Sequence, residues 1–455
     1  MADLNLASST RSVSVVECKI IGSNGQVKDL TNPVIYNNIN IYESIYSPVV
    51  TGTIQLIEGV NLASLVSMHG NEYLLISFCR PGENDKESRY TRTFRIYKCA
   101  LNSPQNQAQS YVLYFCSEEM VFSKQQTISR SFRGRSTTEY IYNILTQDLK
   151  TNKERVNTKY FEKSEGNHNF VLTKYNPFDA IKYLEFCSYN GNESPFLFFE
   201  NRDGYNFVSL ETLFKTNPLD PPLNYNTAKV LYDQTESAFK NANDIKSFEF
   251  IQKFDVLNGA NESSFCGRLY TLDLIRQKYT KHDYSVVNSL ARNTMMDGFF
   301  PMNNFKNRND RSLFEEFNGQ PMYWLTNLNQ NETEYNIAKA VREQNRDIEK
   351  YLLQRTTQLG LLNNTSVECQ VPGNPNYSVG YVVEFNLPAF ITQAGSVNER
   401  ILDPYYKGKY LISRVRHSIT PDSLETILEL NKNSVSISFD AAANEDETVK
   451  RARDY

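Results

Sequence analysis

The chain has 455 residues and a formal net charge of −4, which allows roughly three or four domains and excludes a global basic field for nucleic acid. Apolar residues make up 40%, enough to fill several cores, so wholesale disorder is excluded as well. The 29 Tyr and 27 Phe dominate the aromatics beside a single Trp (Trp324), and such side chains favour half-buried pleated surfaces.

From Val13 to about Phe122 the sequence reads as strand after strand. Period-two alternation runs through Val16-Cys18-Ile20, Ile39-Ile41, Ile54-Leu56, Leu74-Ile76-Phe78, Phe94-Ile96 and Tyr111-Leu113-Phe115. Gly22 to Gly25 reads as a hairpin turn. The pattern changes at Ser136, where Ser136-Thr137-Thr138-Glu139 is a capping box with Ile141, Leu145 and Leu149 behind it. A second helix opens at Asn176-Pro177 and places Ile181, Leu184 and Ser188 on one stripe, beside Tyr183 and Cys187. A hairpin follows, Phe196–Phe199 against Tyr205–Val208, with Asp203-Gly204 at its turn. Residues 217–226 read as the exit linker of this α+β region.

Strands are expected again at Phe248–Phe250 and Cys266–Leu274, with an irregular stretch over 295–333. A helix is expected from Glu334 to about Leu359, with Ala338, Val341, Asn345, Ile348 and Leu352 along one seam. The last strands are Val367-Cys369-Val371, Tyr381–Leu387, Tyr410–Ile419 and Leu424–Leu430, and the charged end from Ala441 is expected to be mobile. The stretches Ser47–Leu56 and Ser263–Leu272 echo each other faintly: a small-residue loop, a Gly, then a β run. The fold class is therefore α+β and β-rich, with several domains.

Catalytic signals are lacking. There is no Gly-x-Ser-x-Gly elbow, and His69, His168, His282 and His417 fall in turns or strands. His282 and Asp283 are adjacent, but neighbours in an extended chain point to opposite faces. Glu118-Glu119 and Glu315-Glu316 read as solvated acidic pairs. Cys18, Cys79, Cys99, Cys116, Cys187, Cys266 and Cys369 have no metal or redox spacing, and most lie in apolar runs as small buried hydrophobes. A reducing compartment during assembly is the simplest inference. The strips Arg130-Arg133-Arg135 and Lys306-Arg308-Arg311 read as solvated faces or protein contacts. No residue is singled out as catalytic, cofactor-binding or metal-binding, and no cofactor is expected. Neither a signal peptide nor a run of about 18 apolar residues is present, so folding in cytosol without membrane insertion is expected.

Four stretches carry a resemblance. Asn176–Phe214 resembles the middle domain of baseplate hub subunits from contractile-tailed bacteriophages. Ile41–Glu58, Phe254–Leu274 and Val371–Leu430 resemble the same family in the same order. That family is related to the hub part of type VI secretion and contractile injection spikes. The resemblance implies two similar β-barrel tube domains. The first is expected over 1–130 and the second in two halves, 227–294 and 361–440. A middle α+β domain is expected over 131–226, an irregular and helical insertion over 295–360, and a tail over 441–455. It further implies a homotrimer that joins the sixfold tail tube to the threefold central spike, with tape-measure and baseplate wedge proteins as further partners. Genomic DNA would pass through its channel without specific binding. The place implied is the virion tail baseplate, assembled in host bacterial cytoplasm. A tail-associated cell-wall hydrolase is the alternative, as is the hub of an injection or type VI spike.

Overall fold

The computed structural model describes residues 14–58, 69–80, 88–101, 109–190, 195–225, 244–261, 263–273, 277–289, 294–299, 321–326, 348–388, 402–403 and 405–436. Alternation builds its first part. The strands are β1 (Ser14–Ile21), β2 (Val27–Asp29), β3 (Tyr36–Ser44), β4 (Thr51–Glu58), β5 (Tyr73–Cys79), β6 (Tyr90–Leu101) and β7 (Gln109–Cys116), and all but the short exposed β2 bury side chains in alternation along part of their length. Cys18, Ile39, Ile54, Ile76, Phe94 and Phe115 meet in one core, as the period-two reading expects.

The second part mixes helices and short strands. Helix α1 (Glu118–Gln125) leads to β8 (Ile128–Arg135), α2 (Thr137–Asn143), β9 (Val156–Phe161), β10 (His168–Tyr175) and α3 (Pro177–Phe186). The hairpin follows as β11 (Phe196–Asn201) and β12 (Gly204–Ser209), then α4 (Leu210–Phe214) and β13 (Leu219–Asn224). Ser136 caps α2, accepting the Glu139 N–H at 3.4 Å. Asn176 occupies the cap position of α3, but its side chain donates to Asp179 Oδ2 at 3.1 Å instead of accepting a backbone N–H. β8 pairs with β10 as a ribbon, while β11, β12 and β9 form a three-stranded sheet.

The third part contains β14 (Ser247–Gln252), α5 (Val256–Asn261), β15 (Cys266–Asp273), β16 (Lys278–Ser285), β17 (Met322–Thr326) and α6 (Ile348–Leu362). It ends with β18 (Thr365–Pro372), β19 (Val382–Asn386), β20 (Gly408–Ile419) and β21 (Leu424–Lys432). Helix α6 confirms the later turns of the expected helix and buries Ile348 and Leu352. Ala338, Val341 and Asn345 lie outside the described residues, as does the tail from Ala441.

Three elements depart from the sequence reading. Residues 219–224, expected as linker, form β13, which pairs parallel with β19. The backbone there finds hydrogen-bond partners in the sheet, so the prolines mark an edge strand and not a tether. The expected irregular stretch contains β17, which runs parallel to β15, a partner about fifty residues earlier that local patterning cannot reveal. Finally, β15, β16 and β17 form a sheet of their own, whereas β14 joins the large one. The two stretches of the internal echo, which end in β4 and β15, thus lie in different sheets. On the small sheet's outward face Tyr270 stacks between Tyr279 and Tyr323, with both centroid distances 5.2 Å.

The two β regions at the chain's ends share one 13-stranded sheet, ordered β14-β18-β21-β20-β3-β4-β7-β6-β5-β1-β2, with β19 and β13 branching at β20. Strand β20 makes the join. Gly408–Leu411 pair with β19, a bulge follows between Ile412 and Arg414, and Arg414–Ile419 pair with Ser44–Ile39 of β3.

Candidate functional site: a buried ionic junction among three regions

Charged side chains converge where the hairpin of the middle region meets both β regions. Every residue of β11 is buried, including Glu200 at its end. A bare carboxylate there would lose its hydration without return. Glu200 instead accepts from Arg92 Nη1 at 2.8 Å, from an Arg155 guanidinium N–H, from the Val50 N–H at 2.9 Å and from the Ser117 hydroxyl. Arg155 also donates to Glu119 Oε1 at 2.6 Å. Burial works against both guanidinium charges, and Glu200 together with neighbouring groups (Tyr90 and Glu43 for Arg92, Tyr205 and Glu119 for Arg155) more than offsets it, so both stay firmly protonated. One carboxylate thereby ties β6, the start of β4, α1 and the approach to β9.

The turn after Glu200 grips the C-terminal region. The Arg202 N–H donates to Ser378 Oγ at 3.1 Å, and Asn201 Nδ2 donates to the Val379 carbonyl at 3.1 Å. The Arg202 side chain reaches the carbonyls of Pro375 and Arg89, each at 3.3 Å, and Tyr381 donates to Asp203. The approach of the same turn to the start of β9 needs Gly204: its φ is +126°, and a Cβ there would sit 2.1 Å from the Arg155 carbonyl oxygen. Glu43 of β3 accepts from the Ser378 hydroxyl and from the Val379 N–H at 3.2 Å. Burial pushes the Glu43 carboxyl up and holds the His417 imidazole down.

Such paired charges clamp surfaces together. Glu118, at the start of α1, accepts from the Tyr73 hydroxyl at 2.6 Å, and Glu119 is buried on Arg155. That pair opens a helix and is not the solvated loop the sequence suggests. His69 sits in a turn, its N–H bonded to Glu72, whereas His168 is buried at the start of β10. His282 and Asp283 diverge as expected: His282 Nε2 lies 3.4 Å from the Thr271 hydroxyl, and Asp283 pairs with Arg268 at 2.7 Å. His417 is fully buried in the core. Cys99 is exposed, contrary to its apolar context, while the other six cysteines are buried, and none of the seven is in a disulfide. Arg130 pairs with Asp148 and Arg135 lies 3.8 Å from Glu139, so two of the first basic strip have protein partners. Lys306, Arg308, Arg311, Glu315 and Glu316 lie outside the described residues. Among the described residues no group of His, Cys, Asp and Glu side chains is arranged to hold a metal ion.

Sequence reading missed the junction, although a signal existed. In Ile39-Ile41-Glu43 and Tyr90-Arg92-Phe94 a charged residue takes the inward slot of an alternating run. A charge in such a slot requires an ionic or hydrogen-bonded partner that the local sequence does not name.

No family model matches the chain. The probable baseplate hub protein gp334 of Vibrio phage KVP40 is 22% identical over 420 residues, which cover 87% of this chain and 89% of that protein. The chain resembles a phage baseplate hub protein. Among solved structures, the 43 kDa tail protein of prophage MuSo2 from Shewanella oneidensis matches with a TM-score of 0.52. That match has 10% identity and covers 92% of this chain and 98% of the tail protein. A phage tail protein thus shares the β-rich α+β fold, and the likeness to the hub protein runs through all three regions joined at the Glu200 junction.

Proposed function

We propose that the chain is a structural baseplate hub subunit of a contractile phage tail, working as a trimeric symmetry adaptor between the sixfold tube and the threefold spike. The observation that carries this reading is the likeness to gp334 over nearly the full length of both chains. The large sheet supports it, since β14 and β2 end the path at opposite sides and can meet neighbouring subunits edge to edge.

Three such chains would enclose a channel through which DNA passes. The outward face of the sheet fits weak contact with a polyanion. Glu249, Glu368 and Glu429 stand in register across β14, β18 and β21, with Arg414 of β20 next in the row and paired to Glu429 at 2.7 Å. Spike and tube proteins are the primary partners, with tape-measure and wedge proteins beyond them, in a baseplate assembled in the host cytoplasm. Glu118 and Glu119 are both engaged, so that acidic pair does not favour the hydrolase reading.

Particle mass and symmetry, with and without the spike protein, test the reading. A threefold particle that captures the spike is expected. A strict monomer without affinity for the spike overturns it, as does tight binding of duplex DNA at physiological salt for the channel.

A further inference from the structure

Behind the turn from Asn374 to Gly380 lies a second cluster that the ion pairs of Glu200 do not explain. Glu43 of β3, Tyr90 of β6 and His417 of β20 are all buried, at 2%, 0% and 0% exposure. In the β3–β20 register Val415 faces Glu43 and His417 faces Ile41, so Glu43 and His417 are diagonal neighbours on the inner face. The Tyr90 ring lies 6.0 Å from the His417 ring, and both pack on Phe78, at 5.0 and 5.7 Å.

The hydrogen bonding of Glu43 is one-sided. Oε2 takes both the Ser378 hydroxyl and the Val379 N–H, whereas Oε1 and the Tyr90 hydroxyl have no protein partner. Arg92 attracts a charge on Glu43, but it is bonded to Glu200, whose own carboxylate repels that charge. Around His417, the Thr426 hydroxyl meets Nδ1 at 3.1 Å, the Tyr377 backbone favours a proton and the Arg202 charge opposes one. A lone charge on either residue would be poorly served.

We propose that Glu43 and His417 form a compensated protonation pair across the β3–β20 seam: in mildly acidic solution Glu43 holds a proton, His417 lacks one, and their responses to acid cancel. Burial raises Glu43 from 4.5 to about 7 and lowers His417 from 6.5 to about 4. The stability Glu43 contributes is complete below 4.5 and is lost as pH rises through about 7. That of His417 is complete above 6.5 and is lost as pH falls through about 4. Between pH 6.5 and 4.5, acid therefore strengthens the seam through one group and weakens it through the other.

The test is unfolding of the full chain from about pH 8 to about pH 4.5, for the wild type, Glu43→Gln, His417→Gln and the double variant. Relative to the wild type, Glu43→Gln should lose stability on acidification, by up to roughly a hundredfold in the folding equilibrium. His417→Gln should gain stability over the same range, and the double variant should run parallel to the wild type. Single-variant curves that parallel the wild type, or that tilt in the same direction, overturn the proposal. Carboxyl and imidazole NMR titrations of the wild type provide a readout that needs no variant. One glutamate with a midpoint near neutrality and one histidine uncharged at about pH 5 support the pair; ordinary midpoints for both sink it.

Discussion

The Glu200 junction and the outward face of the β15–β17 sheet use the same chemistry at opposite depths. In both, an arginine grips a carboxylate beside aromatic rings: Arg155 on Glu200 over Tyr205, and Arg268 on Asp283 near the Tyr270 stack. Glu200 is wholly enclosed, while Asp283 keeps 30% of its side chain in solvent and can exchange its partner for water. Depth, not partner identity, therefore determines the weight of the ion pair.

The comparison breaks most visibly at Glu200. Glu200→Ala leaves the nearly enclosed Arg92 and the partly exposed Arg155 without their shared partner and should cost about 3 kcal/mol in denaturant unfolding. A loss below about 1 kcal/mol would place the junction in the same class as an exposed pair. Gly204→Ala should cost about 2–3 kcal/mol, since the added carbon meets the Arg155 carbonyl and the backbone is left-handed. Ser378→Ala removes the hydroxyl that serves both Glu43 and the Arg202 N–H, and should cost about 1–2 kcal/mol. Arg268→Ala should change stability by less than about 1 kcal/mol. Salt sharpens the contrast: about 1 M NaCl should erase the small Arg268→Ala effect and leave that of Glu200→Ala nearly intact.

The same difference in depth explains what was legible in the sequence. Alternation located the six apolar runs of the first region, because facing one core imprints a period of two on the strand itself. The capping box at Ser136 and the turn at Gly204 were equally local and readable. The pairing of β20 with β3 was not, since Ser418 and Asn40 are opposed across 378 residues of chain and each run tolerates many partners. β17 was hidden for the same reason, and Cys99 misled because β6 bulges between Ile96 and Lys98 and leaves Cys99 in solvent. The junction was visible only as charges in inward slots.

The bulged strand β20 also has a mechanical consequence. Because Arg414–Ile419 are laced to Ser44–Ile39, the two β regions are welded along a strand and cannot swivel about a hinge there. A pull along that strand would load its hydrogen bonds together, in shear, instead of unzipping them one by one. A sheet joined this way would pass force along the strand from one β region to the other with little stretch.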